Sequence, residues 1–377
     1  MKVVVAIDSF KGSMSSMEAG MAAKEGILKA KSADVIVKPL ADGGEGTVEA
    51  LVEGMGGKYE YAQVSGPLGH PVTARYGITG NGKTAVMEMA EAAGITLVKR
   101  EDLNPWKATT FGVGQLICHA IDQGCRDFII GIGGSATTDG GAGMLQAFGY
   151  EFKDCEGKSI GLGIGELDKI ASIDDVNVKP ELKTCRFTIA CDVKNPLCGE
   201  NGAVYIYGPQ KGVKEDEKEI LNAKMKHFAQ KTEDFFGQDF SSVEGAGAAG
   251  GLGFAFLSYI LEENRSLKPG IEMVMEATCL EQDIKDCDIV ITGEGRLDMQ
   301  TAMGKVPVGV AGLGKKYGKK VIAFAGGVTD DAVKCNEKGI DAFFPIVRGV
   351  TSLEDAMKKE TARRNMTLAV EQVFRLL

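Results

Sequence analysis

The chain has 377 residues, about two to three times the usual length of a domain, so we expect two domains. Hydrophobic residues make up 44% of the sequence and charged residues 25%, which excludes a disordered or fibrous chain. The 43 Lys and Arg residues are outnumbered by 52 Asp and Glu residues, giving a net charge of -9. No basic cluster offsets this excess, so a nucleic-acid or membrane partner is disfavoured.

The nine cysteines are irregularly spaced and form no C-x-x-C pair. This pattern favours reduced thiols in the cytoplasm over a disulfide framework or a zinc site. The apolar run at residues 3–7 is too short for a secretion signal, and no other run reaches transmembrane length. The oligomeric state stays open.

Short β-branched runs, each followed by a helical stretch, recur at both ends of the chain and are typical of parallel β-α-β units. Two such units open the chain and three close it, which predicts a doubly wound parallel sheet built from both termini. The strands are predicted at 3–7, 35–38, 289–292, 321–325 and 342–347. The helices are predicted at 17–30, 47–54, 306–316, 330–338 and 354–374.

The middle of the chain has a different pattern. Residues 59–64, 72–78 and 84–89 alternate around turn signals, which predicts antiparallel hairpins and hence an inserted second α/β domain with a mixed sheet. We place the doubly wound domain at 1–62 and 284–377 and the insert at 63–283. Residues 95–150 contain a helix and a parallel-type strand that fit either domain.

Glycine-rich segments follow the predicted strands, where the ligands of doubly wound sheets bind. They combine glycines and hydroxyls, which suit phosphate oxygens, with carboxylates, which suit Mg²⁺. This combination points to phosphoryl transfer. The alternative for any one segment is a tight turn with a helix-capping side chain. The segments are residues 8–12, 41–46, 131–141, 293–298 and 326–327.

Two further strings match nucleotide motifs out of context. Gly77–Thr84 fits G-x-x-x-x-G-K-[ST], but Asn81-Gly82 between alternating runs favours a hairpin turn over a P-loop. Gly245–Gly250 fits G-x-G-x-x-G, but no buried strand precedes it, so a dinucleotide fold is disfavoured. The three histidines lack metal-ligand spacing.

Taken together, the glycine-rich segments resemble the type I glycerate kinases (glycerate 2-kinases) of bacterial glycolate, glyoxylate and sugar-acid metabolism. The resemblance covers nearly the whole chain. It rests on DSFKG (Asp8–Gly12), ADGGEGT (Ala41–Thr47), GGSATTDGG (Gly133–Gly141), ACDVKNPLCG (Ala190–Gly199), GPQKG (Gly208–Gly212), GAGAAGGLG (Gly245–Gly253) and ITGEGRLDMQTAMG (Ile291–Gly304).

The resemblance implies a flavodoxin-like domain and ATP-dependent phosphorylation of D-glycerate at the 2-hydroxyl, giving 2-phosphoglycerate and ADP. Two departures from the family pattern stand out: Thr138 replaces an asparagine, and Val113 replaces a threonine. Substrate range or affinity changes if those positions touch ligand.

Residue roles are hypotheses from chemistry placed on the matching motifs. Glycerate needs a cation for its carboxylate and a carboxylate near the attacking hydroxyl. The candidate catalytic residues are Asp192, Asp298, Lys11 and Asp42, and the candidate glycerate contacts are Arg296, Ser9, Lys11, Glu45 and Lys211. The candidate ATP contacts are Gly133, Gly134, Ser135, Thr137, Gly293, Glu294 and Gly295, with Asp42 and Asp192 for Mg²⁺. Asp139 fits a helix cap as well as a functional role.

Three alternatives remain open at this stage. The enzyme would be a glycerate 3-kinase if the 3-hydroxyl were the acceptor. A noncatalytic sugar-acid-binding protein would bind without turnover, and a P-loop ATPase acting on a partner would use Lys83 and need no glycerate.

Overall fold

The computed structural model describes residues 1–377 as two compact units. Unit 1 comprises residues 1–57 and 271–377, and unit 2 comprises residues 58–270. None of the helices combines the length and the apolar character that crossing a membrane requires.

The strands, in chain order, are β1 (Lys2–Ile7), β2 (Asp34–Pro39), β3 (Lys58–Ser65), β4 (Pro71–Ile78), β5 (Thr84–Glu88), β6 (Asp127–Gly131), β7 (Glu151–Lys153), β8 (Ser172–Asp174), β9 (Arg186–Ala190), β10 (Arg265–Lys268), β11 (Ile289–Leu297), β12 (Lys320–Val328) and β13 (Ala342–Pro345).

The α-helices are α1 (Ser16–Ala30), α2 (Thr47–Gly54), α3 (Ala90–Ala93), α4 (Phe111–Asp122), α5 (Ala142–Phe148), α6 (Ala203–Tyr207), α7 (Lys218–Phe236), α8 (Leu252–Tyr259), α9 (Gly270–Ala277), α10 (Leu280–Lys285), α11 (Met299–Ala302), α12 (Val306–Lys316), α13 (Lys334–Glu337), α14 (Leu353–Met357) and α15 (Lys359–Leu376).

Unit 1 contains a five-stranded sheet in the order β13-β12-β11-β1-β2, with every neighbouring pair parallel. Counted along the unit's own chain this is the order 2-1-3-4-5, which defines a flavodoxin-like doubly wound sheet. The predicted fold class is therefore confirmed. The chain reverses its winding direction between β1 and β11, and in such sheets the ligand crevice forms at that reversal, at the carboxyl ends of the strands.

The first β-α-β turn shows how the sequence builds this sheet. Residues 3–7 are Val-rich and wholly buried, as a central parallel strand requires. Ser15 caps α1: its hydroxyl accepts a hydrogen bond from the Glu18 backbone N–H, and the Glu18 carboxylate accepts one from the Ser15 N–H. Ser16 begins the helix, and its hydroxyl accepts a hydrogen bond from the Leu40 backbone N–H. The cap and this bond hold the N-terminus of α1 beside the end of β2.

The glycines after the third and fourth strands of unit 1 are not in loops. β11 runs to Leu297 and β12 to Val328, beyond the predicted ends at 292 and 325. A Cβ atom on Gly293 would lie 2.0 Å from the Phe324 carbonyl oxygen, and one on Gly326 would lie 2.5 Å from the Gly295 carbonyl oxygen. Glycine is needed at these positions because the paired strands approach closely, and not because the chain forms a flexible loop there.

Gly326 and Gly327 form a matched pair for testing this close approach. Gly326→Ala is expected to destabilise unit 1 by about 1–3 kcal/mol, because the new methyl group overlaps backbone that cannot rotate away. Gly327 has no atom within 4 Å of the position of its Cβ, so Gly327→Ala should change stability by less than about 0.5 kcal/mol. Urea unfolding of the two variants checks this difference, and equal loss in both would contradict the steric explanation.

The C-terminal helical segment differs from its prediction as one helix. It forms α14 and α15, which are separated by Lys358 with φ -58° and ψ 125°. Ser352 caps α14 by accepting a hydrogen bond from the Asp355 backbone N–H at 3.1 Å. After this break, α15 packs on α1 and on the sheet. Residues of both α14 and α15 line the cavity described below.

Unit 2 contains a six-stranded mixed sheet in the order β10-β9-β6-β5-β4-β3. β3, β4 and β5 are antiparallel neighbours, as the alternating sequence predicts, and the remaining pairs are parallel. Residues 58–62 extend β3, so they lie in this sheet, and residues 95–150 also belong to unit 2. Residues 271–283 lie in unit 1 because α9 and α10 precede β11 as part of its β-α-β connection.

Candidate active site

A cavity of about 880 Å³ lies in unit 1 where the carboxyl ends of the strands meet. Residues directly after β1 line it, together with Asp42 after β2 and residues 294–298 at the end of β11. The ends of β12 and β13 and the helices α14 and α15 complete the lining. This is the position that the winding of the sheet predicts for a ligand.

Asp8 is the buried carboxylate of the cavity. It follows the last residue of β1, and its backbone N–H donates a 2.9 Å hydrogen bond to the Gly293 carbonyl. The side chain is only 8% exposed, and its Oδ1 accepts a 2.6 Å hydrogen bond from the Ser9 N–H. Burial raises the pKa of Asp8 to about 7, with smaller contributions from the negative charges of Asp42 and Glu294, while the Ser9 hydrogen bond and the Lys11 charge oppose the rise.

Three ionisable side chains line the cavity at the end of β11. Glu294 and Arg296 occupy alternate positions of the strand, so its pleat turns both to one side, and Asp298 directly follows the strand. Burial raises the pKa of Glu294, although a hydrogen bond from the Thr301 hydroxyl and the charge of Lys305 partly oppose this. The strand end therefore presents both charge signs to the cavity.

Asp298 is primarily a helix cap. Its Oδ1 accepts hydrogen bonds from the backbone N–H groups of Gln300, at 2.9 Å, and Thr301, at 3.3 Å, at the start of α11. Its Oδ2 lies 3.6 Å from the Nε of Arg296, whose side chain is largely exposed. Asp298 therefore caps a helix and contacts Arg296, and its catalytic role stays a prediction because the residue also lines the cavity.

The remaining predicted residues of unit 1 divide into two groups. Ser9, Lys11, Asp42 and Gly295 line the cavity, and Asp42 accepts a 3.0 Å hydrogen bond from the Gly44 N–H. Glu45 and Gly293 are not among the cavity-lining residues: Glu45 is exposed, and Gly293 is packed against Phe324. The structure therefore gives no support for ligand contacts by Glu45 or Gly293.

Lys211 of unit 2 is not a mobile cation. It is 1% exposed, and its ammonium group donates hydrogen bonds to the Ser135 hydroxyl at 2.7 Å and the Thr137 carbonyl at 2.6 Å. Burial lowers the pKa of Lys211 to about 7, and the charge of Asp139 partly opposes the fall. The predicted contact of Lys211 with glycerate is replaced by an internal bond that holds the segment after β6.

Asp139 also holds the segment that follows β6, through hydrogen bonds to its carboxylate. It is fully buried, and its carboxylate accepts hydrogen bonds from the backbone N–H and hydroxyl of Thr110 and from the N–H groups of Gly141 and Gly143. Burial nevertheless raises the pKa of Asp139. This arrangement matches the capping alternative.

The other predicted residues of this segment differ in exposure. Gly133 and Gly134 are exposed, so their backbone groups are open to a ligand. Thr137 is wholly buried, which argues against a phosphate contact by its side chain. The departures Thr138 and Val113 are buried as well, so neither side chain reaches the surface.

Asp192 also belongs to unit 2, just after β9. Its Oδ1 accepts a 3.0 Å hydrogen bond from the Gly270 backbone N–H. No group of three or more Asp, Glu, His or Cys side chains in the chain is arranged to hold a metal ion.

The two out-of-context strings have structural explanations. Gly77–Thr84 is a hairpin: β4 and β5 pair antiparallel, and Asn81 Oδ1 accepts hydrogen bonds from the N–H groups of Lys83 and Thr84. No helix follows it, so the P-loop reading is wrong. Gly245–Gly250 forms turns and a short 3-10 segment, and it lacks the preceding strand that a dinucleotide-binding motif requires.

Sequence reasoning missed three cavity residues. Asp8 stands in a quoted motif, but no role was assigned to it, since its burial depends on the packing of three strand ends. Lys305 precedes α12, and Asn365 lies on the buried side of α15. A polar residue within the apolar stripe of an amphipathic helix is the signal that would have found Asn365.

Comparison with known proteins agrees with this fold. Residues 3–377 match the model of the glycerate kinase family. A glycerate kinase from Bacillus subtilis is 47% identical over 95% of this chain and 93% of its own length, and a glycerate 2-kinase from Escherichia coli is 46% identical over the same shares. A crystal structure of a glycerate kinase 2 from Salmonella typhimurium superposes with a TM-score of 0.91, at 43% identity, over 99% of this chain and 97% of that one.

A doubly wound unit with a mixed-charge cavity at its winding reversal defines an α/β protein whose ligand crevice lies at the carboxyl ends of its parallel strands. The chain belongs to the glycerate kinase family.

Proposed function

We propose that this protein is a kinase that transfers the γ-phosphoryl group of ATP to the 2-hydroxyl of D-glycerate, producing 2-phosphoglycerate and ADP. Family membership over residues 3–377 is the observation that carries the proposal. The relative named glycerate 2-kinase supports the choice of the 2-hydroxyl over the 3-hydroxyl. The cavity of unit 1 supports phosphoryl transfer because it holds carboxylates and cations at one crevice.

The reaction places few covalent demands on the protein. The glycerate hydroxyl oxygen forms a bond to the γ-phosphorus, the bond from that phosphorus to the ADP oxygen breaks, and the hydroxyl proton passes to a base. The protein must align the two substrates, stabilise the charge on the moving group and accept that proton.

Asp8 is our candidate for the proton acceptor. A carboxylate whose pKa lies near 7 is about half ionised at pH 7, and its ionised form binds a proton more readily than an ordinary aspartate does. Lys11 follows three residues later and lines the same cavity, so its ammonium group is available to the transferred phosphoryl group. Ser9 holds the Asp8 carboxylate through its backbone N–H.

Arg296 is our candidate for the glycerate carboxylate. A guanidinium group can donate two parallel hydrogen bonds to a carboxylate, and Asp298 orients it from the Nε side. The exposed glycines 133 and 134 remain proposed phosphate contacts, since their backbone groups are accessible.

Mg²⁺ would accompany the nucleotide and neutralise charge on its β- and γ-phosphates. Protein sites for this ion commonly provide one or two carboxylates and leave the other positions to phosphate and water. Asp42 suits this role as a partly exposed carboxylate that lines the cavity, whereas Asp192 is not among the lining residues. Our assignment therefore rests on Asp42.

The test is to incubate the protein with ATP, Mg²⁺ and D-glycerate, to follow ADP release and to resolve the product by phosphorus NMR. We expect glycerate-dependent ADP release and 2-phosphoglycerate. A 3-phosphoglycerate signal would overturn the position, and binding of glycerate without ADP release would favour the noncatalytic alternative. We assign the reaction to the cytoplasm, because nine free thiols suit a reducing compartment.

Arg296→Ala is expected to raise the KM for glycerate by about 10–100-fold, since a charge-assisted contact contributes about 1.5–3 kcal/mol. The KM for ATP should change much less. Arg363→Ala is the control, because Arg363 is an exposed arginine on α15 that contacts Glu25 outside the cavity. Steady-state kinetics with each substrate varied in turn measure both KM values. An unchanged KM for glycerate in Arg296→Ala would show that Arg296 does not bind the glycerate carboxylate.

A further inference from the structure

The proposed chemistry uses only part of the cavity. The polar groups that it requires follow β1, β2 and β11, whereas the remaining lining comes from the ends of β12 and β13 and from α14 and α15. That remaining lining is largely aliphatic and includes Ile346, Leu353, Ala356 and Met357. A three-carbon acid has neither the size nor the apolar surface to occupy it.

Four polar side chains stand within this lining, Thr329, Thr351, Ser352 and Asn365, and only Asn365 is buried. Asn365 lies on α15 between Ala362 and Met366, on the buried side of the helix, and is 8% exposed. Asn365 lines the cavity, and its carboxamide is not among the fully buried polar groups that lack a partner, so it is accessible from the cavity. An accessible carboxamide can offer both a donor and an acceptor to a ligand.

The volume of the cavity limits what that partner can be. Cavities that bind drug-sized molecules measure about 300–1,000 Å³, and this one, at about 880 Å³, lies in the upper part of that range. It can therefore accept a molecule much larger than glycerate. The neighbouring strands of a sheet are about 4.8 Å apart, so a ligand reaching from β1 to β13 crosses three strand spacings, roughly 14 Å.

We infer that the aliphatic part of this cavity binds the nucleoside of the phosphate donor, and that Asn365 recognises the edge of its purine base. This inference rests on the proposed function and assigns the donor to the same cavity as the reacting groups. A carboxamide matches the adjacent donor and acceptor of an adenine edge, as asparagine does when it reads adenine in nucleic acids. The flat base would lie against the side chains of Ile346, Leu353 and Met357.

The exposure of these aliphatic groups fits a ligand that covers them. Leu353 is 76% exposed and Met357 is 36% exposed, although both line the cavity. Ile346, by contrast, is buried. At the other end, Lys11 and Lys305 supply the positive charge that a triphosphate needs. The lining thus changes from apolar to cationic along the cavity, as the nucleoside and phosphate parts of ATP do.

The experiment compares Asn365→Leu, which keeps the volume and removes the amide, with the wild type. We expect the KM for ATP to rise by roughly 3–10-fold, the loss of one or two neutral hydrogen bonds. The KM for glycerate and kcat at saturating ATP should stay within about twofold. Gln372→Leu is the matched control, because Gln372 is an exposed amide on the same helix outside the cavity.

A second comparison isolates the contact with the base. Purine riboside triphosphate lacks the amino group of the adenine base. The wild type should therefore have a higher kcat/KM with ATP than with this analogue, and the difference should largely disappear in Asn365→Leu. An unchanged preference, or a rise in the KM for glycerate instead of ATP, would overturn the inference. If Asn365→Leu does not fold, as judged by circular dichroism, Asn365→Ser is subjected to the same two comparisons.

Failure of the inference is distinguishable from failure of the proposed function. Binding of ADP and of purine riboside diphosphate is measured by calorimetry on the wild type and on Asn365→Leu without glycerate. A protein that binds ADP through Asn365 but phosphorylates no glycerate keeps the inference and loses the proposed acceptor. A protein that phosphorylates glycerate with unchanged ADP affinity in Asn365→Leu keeps the function and loses the inference.

Discussion

Asp8→Asn is expected to lower kcat for glycerate phosphorylation by roughly 10²–10⁴-fold, the usual contribution of a general base. The amide keeps the size of the side chain and its hydrogen bond from the Ser9 N–H, but it cannot accept the hydroxyl proton. The measurement is kcat at saturating ATP and glycerate. Asp34→Asn, an exposed carboxylate at the start of β2, is the control and should behave as the wild type.

The same substitution should make the ligand-free protein more stable at alkaline pH. The folded state raises the pKa of Asp8 from 3.8 to about 7, so between these values the folded protein binds a proton that the unfolded chain has lost. Stability contributed by this group is therefore present at low pH and is lost as the pH rises through about 7. At pH 8 Asp8→Asn should gain at most about 4 kcal/mol over the wild type, and at pH 4 much less.

Thermal unfolding without ligands at several pH values checks the second effect. A decrease in kcat of less than about 10-fold would mean that another group accepts the proton. Equal stability of the two proteins at pH 8 would mean that Asp8 ionises without penalty in the fold. An activity loss combined with a stability gain is the pattern expected of a buried functional carboxylate.

Lys211→Ala is expected to destabilise unit 2 by about 3–5 kcal/mol, because it leaves a void and removes the partner of two buried acceptors. The Ser135 hydroxyl and the Thr137 carbonyl would lose their hydrogen bonds from the ammonium group. Lys211→Met fills most of the same volume, so it should lose less, about 1–3 kcal/mol. The order of the two variants separates the effect of the void from that of the hydrogen bonds.

The pH dependence gives an independent check on Lys211. Its folded pKa, about 7, lies below the usual 10.5, so between these values the unfolded chain holds a proton that the folded protein has released. Stability therefore rises with pH from about 7 towards 10, and Lys211→Met should lose this rise. Hydrogen exchange of the backbone amides of residues 133–138, compared at pH 6 and pH 9, measures this rise in stability within the segment. Identical pH profiles for the wild type and Lys211→Met would contradict the buried, neutral lysine.

Much of the fold could be predicted because single segments carry the signal. The Val-rich run of β1 can only be a central parallel strand, and the alternation in β3 and β4 can only be a half-exposed hairpin. The glycines at the ends of β11 and β12 were harder to interpret. Glycine marks both a loop and a close approach of two strands, and only the position of the partner strand separates these cases.

The candidate site was predictable in its location but less so in its residue roles. The ends of parallel strands meet at one edge, so Lys11, Asp42 and Arg296 could be brought together from the sequence alone. Burial is a property of the whole packed structure, and it separates the buried Asp8 from the capping Asp298. It also places the Lys211 amine inside unit 2, bonded to Ser135 and Thr137, where the sequence had predicted a ligand contact.

The central strand of the cavity-bearing sheet also determines when the cavity can form during synthesis. β1 is among the first segments made, yet Val3 pairs with Ile289 on β11. At 5–20 residues per second, the ribosome needs on the order of 15–60 s to deliver that partner. Unit 2 is complete much earlier and can fold first. During this interval β1 and β2 present apolar edges to their surroundings, so a nascent chain of this protein is a natural client for chaperones that shield such edges.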